Sequence, residues 1–422
     1  MRTKGFTLIE LLAVLVILGL LAIVVSGLVN NTVNNAKVTI TKAQESSILN
    51  AVEKWSVDNS SEFDDIEEKV SIIGLDVLFI IDASGSMRKT LVGSIWNQKI
   101  KETRYYHTTN ALNLAMDALK SPNNRIMITT FGQSNRTVLP LASYSSSNGK
   151  YFEVADNPDT YSSGSVYNTS AVKSTANLRK VTVDGSGNIK ETKVSTVTMN
   201  FNEGNTYTQQ GMYYAANQFI NSTSSSNTIN RIPVVIFITD GYPSSGSSSY
   251  CKSCTSSAQS ATGLASTFYY TLMAGYETRD MIDKHYYASD IFYYTIGFGI
   301  DEHADAKKIL DPGSYSKLSK WNYVTKAFQQ TGMTAADLNF AFSSITTEVI
   351  EATNVTQVCI TVKDLYDNGY LSKKDLNMAD GEAAATYVIM SSNEATGQWS
   401  YALAKTPEQE RICKALLSAG GK

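Results

Sequence analysis

Three short segments carry the residues that could do chemistry together. The first reads Asp82-Ala83-Ser84-Gly85-Ser86, a D-x-S-x-S pattern followed by Met87. The second, Gly204-Asn205-Thr206-Tyr207-Thr208, stands just before a stretch with helical character. The third is Asp240-Gly241, at the end of the apolar run VVIFIT. Their side chains at Asp82, Ser84, Ser86, Thr206, Thr208 and Asp240 offer oxygen alone. Carboxylates and hydroxyls without softer atoms suit a hard divalent cation, Mg²⁺ or else Mn²⁺ or Ca²⁺. Taken singly, the same residues have plainer uses. Serines after a strand cap a helix, and an Asp-Gly pair closes a turn. Those readings explain each residue but not the set.

The elements around these segments predict how they could meet. LDVLFIID (75–82) is a short apolar run suited to a parallel strand buried on both faces. Leu112, Ala115, Met116 and Leu119 mark a helix, and NRIMITTFG (124–132) is the next strand. A helix follows Thr208 to about Ile220, then the strand RIPVVIFITDG (231–241), then helix across 258–284, then the strand DIFYYTIGFG (290–299). Leu338, Phe342, Ile345 and Val349 form a closing helical stripe. Strands alternating with helices predict a doubly wound α/β fold with a parallel sheet. Such sheets bind ligands beyond the C-terminal ends of their strands, where all three segments fall. Residues 133–200 read as a long polar stretch with one hairpin, RKVTVDGSGNIKETKV, turning at Asp184–Gly187.

In this arrangement Asp82, Ser84, Ser86, Thr206 and Asp240 resemble the metal-ion-dependent adhesion site of von Willebrand factor A domains, matching all five family positions. The resemblance spans residues 74–352, with the excess length in 133–200 and 244–262. It implies direct contact of the Ser84, Ser86 and Thr206 hydroxyls with the metal. Asp82 and Asp240 would act largely through waters. The family's spacing points to Thr206 rather than Thr208. Neutral hydroxyls leave much of the ion's charge uncompensated, so an open position would attract a partner's acidic side chain. Some relatives switch affinity through the last helix (334–352), and nothing in this sequence shows that they do so here.

The N-terminus is the other informative segment. A basic leader with Arg2 and Lys4 ends at Gly5, and an apolar run fills residues 6–29, broken only by Glu10. A helix of that length is about 36 Å long, enough to cross a bilayer. The basic leader keeps the N-terminus cytoplasmic. A secretory signal would place small residues after the apolar run, whereas Gly5 precedes it. Lys4-Gly5-Phe6-Thr7-Leu8-Ile9-Glu10 resembles the class III signal of type IV prepilins at every position. That implies cleavage between Gly5 and Phe6 by a prepilin peptidase and N-methylation of Phe6. It also implies transfer of helix 6–29 from the membrane to a filament core. A carboxylate in an apolar helix needs a partner. In a filament, Glu10 would have the freed α-amine of a neighbouring subunit. An ordinary single-span anchor would gain nothing from Glu10 or Gly5.

The helix is expected to continue to about Trp55, with Ile48, Val52 and Trp55 on one face. After residue 355 the α/β alternation stops. Residues 357–376 predict a short helix and an Asn368-Gly369 turn, and 386–392 and 398–404 predict two antiparallel strands. VKDLYDNGYL resembles the C-terminal part of Gram-positive type IV pilins. The divisions expected are leader 1–5, pilin helix 6–70, von Willebrand factor A domain 74–352 and pilin sheet region 355–422. The guest domain would then be inserted within a pilin.

Four cysteines are an even count, suited to oxidising surroundings. Cys251–Cys254 and Cys359–Cys413 are the expected pairs. A zinc half-site or redox pair at CKSC lacks a second C-x-x-C or a thioredoxin-like context. The net charge of -3 argues against a nucleic-acid surface. The 24 tyrosines serve either as core filler or as an amphipathic contact surface. His107, His285 and His303 lie in separate segments without a nucleophile motif, so no enzyme is expected. The combination resembles modular minor pilins of type IV pili. It implies a metal-dependent adhesin that binds host or matrix proteins, on an extracellular pilus after a membrane-bound precursor stage, with other pilin subunits as partners. The alternative is a structural minor pilin for pilus initiation, its head a spacer.

Overall fold

The structure is a computed structural model that describes residues 44–59, 74–91, 100–146, 150–154, 172–174, 178–186, 188–201, 204–223, 228, 231–286, 291–300, 303–329, 333–353, 355–372, 378, 383–393, 398–404, 410, 413, 414 and 417. The leader, Gly5, Phe6, Glu10 and the apolar segment 6–29 lie outside the described residues. Among the described residues no helix is long and apolar enough to cross a membrane.

The centre is an eight-stranded sheet. Its first five strands in spatial order are parallel: β11 (Lys326–Phe328), β10 (Phe292–Gly297), β9 (Arg231–Thr239), β1 (Gly74–Asp82) and β2 (Arg125–Phe131). Three antiparallel strands extend it: β3 (Asn135–Ser146), β6 (Leu178–Val183) and β7 (Ile189–Lys193). All nine residues of β1 are buried, because helices cover both faces. Val77, Phe79 and Ile81 pack with α2 (Arg104–Leu119) and α7 (Ala335–Thr353). Leu78 and Ile80 pack with α3 (Thr208–Asn221), α5 (Ser266–His285) and α6 (Ala304–Leu310). This two-sided burial is the physical reason for the continuous apolar run. Leu338, Phe342, Ile345 and Val349 of α7 are all buried.

The stretch 133–200 holds more strand than its polarity suggests. Besides the expected hairpin β6–β7, β3 runs for 12 residues, and β4 (Phe152–Val154), β5 (Val172–Ser174) and β8 (Thr198–Met199) form a small separate sheet. Asn113 of α2 holds that sheet. Its Oδ1 accepts from the amides of Tyr151 and Phe152, and its Nδ2 donates to Phe152 O. The helix expected over 258–284 is two helices, α4 (Ser256–Thr262) and α5. Gly263, at φ +69°, ends the first in the left-handed conformation that glycine reaches without strain.

A second, smaller body joins the two ends of the described chain. Helix α1 (44–58) lays Ile48, Val52 and Trp55 on a three-stranded antiparallel sheet. That sheet is β12 (Val355–Thr361), β13 (Tyr387–Asn393) and β14 (Gln398–Leu403). The helix α8 (Val362–Asp367) starts with a Thr361/Asp364 capping box, and Gly369 turns the chain at φ +79°. Val358, Ile360, Val388 and Met390 face α1, while Cys359 and Ile389 face the other side with Cys413. Cys359–Cys413 and Cys251–Cys254 are both disulfide-bonded.

Candidate metal centre

Strand connections from β1 go to β2 on one side and, later, to β9 on the other. The C-terminal ends of β1 and β9 therefore flank the topological switch point of the sheet. Asp82 is the last residue of β1, and Asp240 follows the last residue of β9.

The three segments are stitched to one another. Asp82 Oδ2 accepts from Thr239 Oγ1 at 2.7 Å, tying the first to the third. Gly85 N donates to Gly204 O at 3.4 Å, tying the first to the second. Ser244 N donates to Thr206 O at 2.9 Å, and Thr206 N donates to Ser244 Oγ at 2.8 Å, tying the second to the third. The end of β2 anchors two of the loops, since Ala83 N donates to Phe131 O and Tyr207 N to Gly132 O. Gly241, at φ +95°, lets the chain leave β9 against Ile300, whose Cγ2 would lie 2.6 Å from a Cβ there.

Within this frame Ser84 Oγ and Ser86 Oγ are 3.0 Å apart. Two neighbouring ligands of an octahedral Mg²⁺, each at about 2.1 Å, are separated by about 3 Å. The hydroxyls thus have the spacing of one octahedron edge. Ser84 stands at the N-cap of a short 3₁₀ turn (Gly85–Arg88) but makes no capping bond. Asp82 Oδ1 accepts from Ser84 N at 2.8 Å. Asp240 engages Arg104, at 2.8 Å from Oδ2 to Nη1. Ser84 and Asp240 are therefore not spent on the local uses that their positions suggest.

Asp82 and Ser84 are completely buried, and Thr206 and Asp240 nearly so. Burial first, and then the charge of Asp240, raises the Asp82 carboxyl to about 7, against smaller pulls from the Ser84 and Thr239 bonds. A buried carboxylate whose ionised form is disfavoured beside a second acidic side chain is a place where a cation is favoured. Thr208, two residues on from Thr206, is the first residue of α3. Among the described residues no three His, Cys, Asp or Glu side chains group to hold a metal. The CKSC loop is a clamp. Glu277 of α5 accepts from the amides of Lys252 and Ser253 and from the hydroxyls of Ser253 and Tyr213.

Sequence reading missed Arg104, Thr239 and Ser244. Thr239 neighbours Asp240 and was within reach of a local argument. Arg104 lies 18 residues beyond Ser86, and its one local signal is a cation at a helix start.

Residues 1–26 match the family described as "Prokaryotic N-terminal methylation motif". No curated protein matches the chain. Among solved structures, the chain is similar to the PilB minor pilin from Streptococcus sanguinis, at 15% identity and a TM-score of 0.37, over 65% of this chain and 61% of that one. It is similar to proximal thread matrix protein 1 from the mussel byssus, at 12% identity and a TM-score of 0.32, over 69% of this chain and 50% of that one. A conserved hypothetical protein, BatB, from Bacteroides thetaiotaomicron shows 14% identity and a TM-score of 0.33, over 66% of this chain and 98% of that one. These likenesses are too distant to pass on a residue's role. The N-terminal match is of another kind: it gives the chain a class III prepilin leader, and with it a type IV pilin-like N-terminus.

Proposed function

We propose that the chain is a minor type IV pilin in which residues 74–352 form a von Willebrand factor A domain. That domain would bind host or matrix proteins through a Mg²⁺ ion at its adhesion site. The pilin part would comprise the leader 1–5, the helix 6–70 and the sheet region 355–422. The observation that carries the reading is the pair of serine hydroxyls, hydrogen-bonded to each other at 3.0 Å, beside two buried carboxylates at the switch point of the sheet.

Ser84, Ser86 and Thr206 would hold the ion, and Asp82 and Asp240 would fix its waters. When bound, the ion supplies a Lewis-acidic position that takes a carboxylate oxygen from the partner. The chain's own residues do the rest. Thr239 and the Ser84 amide orient Asp82, the Ser244 bonds hold the Thr206 loop, and the buried setting keeps the field strong. The reading assigns no catalytic step. The precursor would sit in the cytoplasmic membrane through residues 6–29, be cut after Gly5 by a prepilin peptidase, and join other pilin subunits outside the cell.

A second reading, a minor pilin for pilus initiation without ligand binding, draws on the packing of α1 against the β12–β14 sheet, which makes a body independent of the metal centre. The deciding experiment is solid-phase binding of the purified full chain to matrix proteins, with Mg²⁺ or with EDTA. Binding lost in EDTA and in Asp82→Ala supports adhesion. Equal binding in all conditions refutes it and leaves the assembly role.

A further inference from the structure

Arg104 is the first residue of α2 and is 2% exposed. A helix start carries a partial positive charge and favours anions. Here the first turn holds no acidic residue and begins with a guanidinium. A local rule broken at a buried position calls for a reason elsewhere in the fold. The reason lies across the molecule, in Asp240. Arg104 Nη1 meets Asp240 Oδ2 at 2.8 Å, Nε donates to Thr90 O at 3.2 Å, and the Arg104 amide donates to Lys89 O at 3.0 Å. The chain segment that carries Ser84 and Ser86 therefore runs on into the segment that holds the arginine. Asp82, by contrast, is bonded by the neutral donors Ser84 N and Thr239 Oγ1.

We propose that Arg104 is a resident counter-charge that cancels Asp240, so that a dication at this centre keeps net positive charge for an anionic partner group. The inference rests on the metal reading of the site and concerns what sets its balance. Asp82, Asp240 and Arg104 together leave one negative charge, and a dication then leaves one positive charge; Arg88, whose Nε donates to Gly85 O at 3.3 Å, is the same on both sides of the comparison. Without the guanidinium the carboxylates alone would neutralise the dication. An incoming carboxylate would then meet a neutral site. Arg104 thus weakens metal binding and strengthens anion binding. It is a positioning and charge-setting residue, not a metal ligand.

The test uses the full chain in detergent, with Mn²⁺ as the metal probe and acetate as the anion probe, both followed by electron paramagnetic resonance. Arg104→Gln is expected to bind Mn²⁺ about ten-fold tighter or more, and its Mn²⁺ complex to take acetate about ten-fold more weakly or worse. Arg104→Lys, which keeps the charge, is expected to stay near wild type in both. Arg104→Met, which fills similar space without charge, is expected to shift both affinities as Arg104→Gln does. That variant decides the matter if the single glutamine variant fails to fold. Mn²⁺ binding that is unchanged or weaker in Arg104→Gln, or unmoved anion affinity, overturns the inference while leaving the metal centre standing. A wild-type chain that takes up no Mn²⁺ overturns the metal reading, and this inference with it.

Discussion

Strand β1 carries an aspartate near each end, and the two have opposite surroundings. Asp76, near the N-terminal end, is fully buried and saturated. Its oxygens accept from Arg125, from Arg231 at 2.7 Å and from the Tyr286 hydroxyl at 2.8 Å. Burial, and then the Asp76 charge, pushes the Tyr286 phenol far above its usual range, so it stays a donor. One carboxylate there faces two guanidiniums. At the other end Asp240 pairs with Arg104 while Asp82 accepts from the neutral Ser84 N and Thr239 Oγ1, beside the Ser84 and Ser86 hydroxyls. The first end is closed and over-supplied with positive charge. The second is short of it. A buried ion cluster whose members satisfy each other holds a fold together, and a cluster left one cation short is fit to receive one.

Breaking the closed end has the largest expected effect. Asp76→Asn strands two arginines over a partner that no longer carries charge, so urea unfolding is expected to show a loss of about 3–5 kcal/mol. A loss near zero would make the two ends alike. Next comes the metal. Saturating Mg²⁺, at about 100 times its dissociation constant, is expected to stabilise the wild type by about 2.7 kcal/mol and Asp82→Asn or Ser86→Ala by almost nothing. Equal stabilisation of all three would place any bound Mg²⁺ elsewhere.

A pH-dependent effect follows from Asp82. Its carboxyl is raised from 3.8 to about 7 in the folded chain, so the folded state holds a proton that the unfolded state has released. Without metal, that contribution is complete below about pH 4 and is lost as pH rises through 7. Thermal melts in EDTA are expected to show wild type losing ground to Asp82→Asn between those limits. Parallel curves would remove Asp82 from the cause. The last test sharpens the site itself. Thr206→Ala is expected to abolish Mn²⁺ binding, and Thr208→Ala to leave it within a few-fold, by calorimetric titration.

Some features were legible without coordinates. The buried faces of β1, β9 and α7 show as apolar patterns because burial acts on each residue where it stands. The D-x-S-x-S loop was legible because a few residues after a strand can offer oxygens only close by. Strand β3 was not legible. Its residues alternate irregularly between buried and half-exposed, with register shifts against β2, so no period of two marks it. The break at Gly263 was hidden in a continuous helical pattern. Strand β12 was not legible either: residues 357–376 predict a short helix and a turn, and the strand's pairing with β13 is made by residues about 30 positions away.

The amino-acid order alone determined the prepilin-type leader, the alternation of strands and helices, and the oxygen-only set at the strand ends. Each depends on neighbours along the chain. Only the tertiary structure decided which end of β1 is closed and which is open. Arg104 reaches Asp240 across 136 positions, and Arg231 reaches Asp76 across 155. Charge pairing depends on distance through space, and no spacing along the chain encodes it.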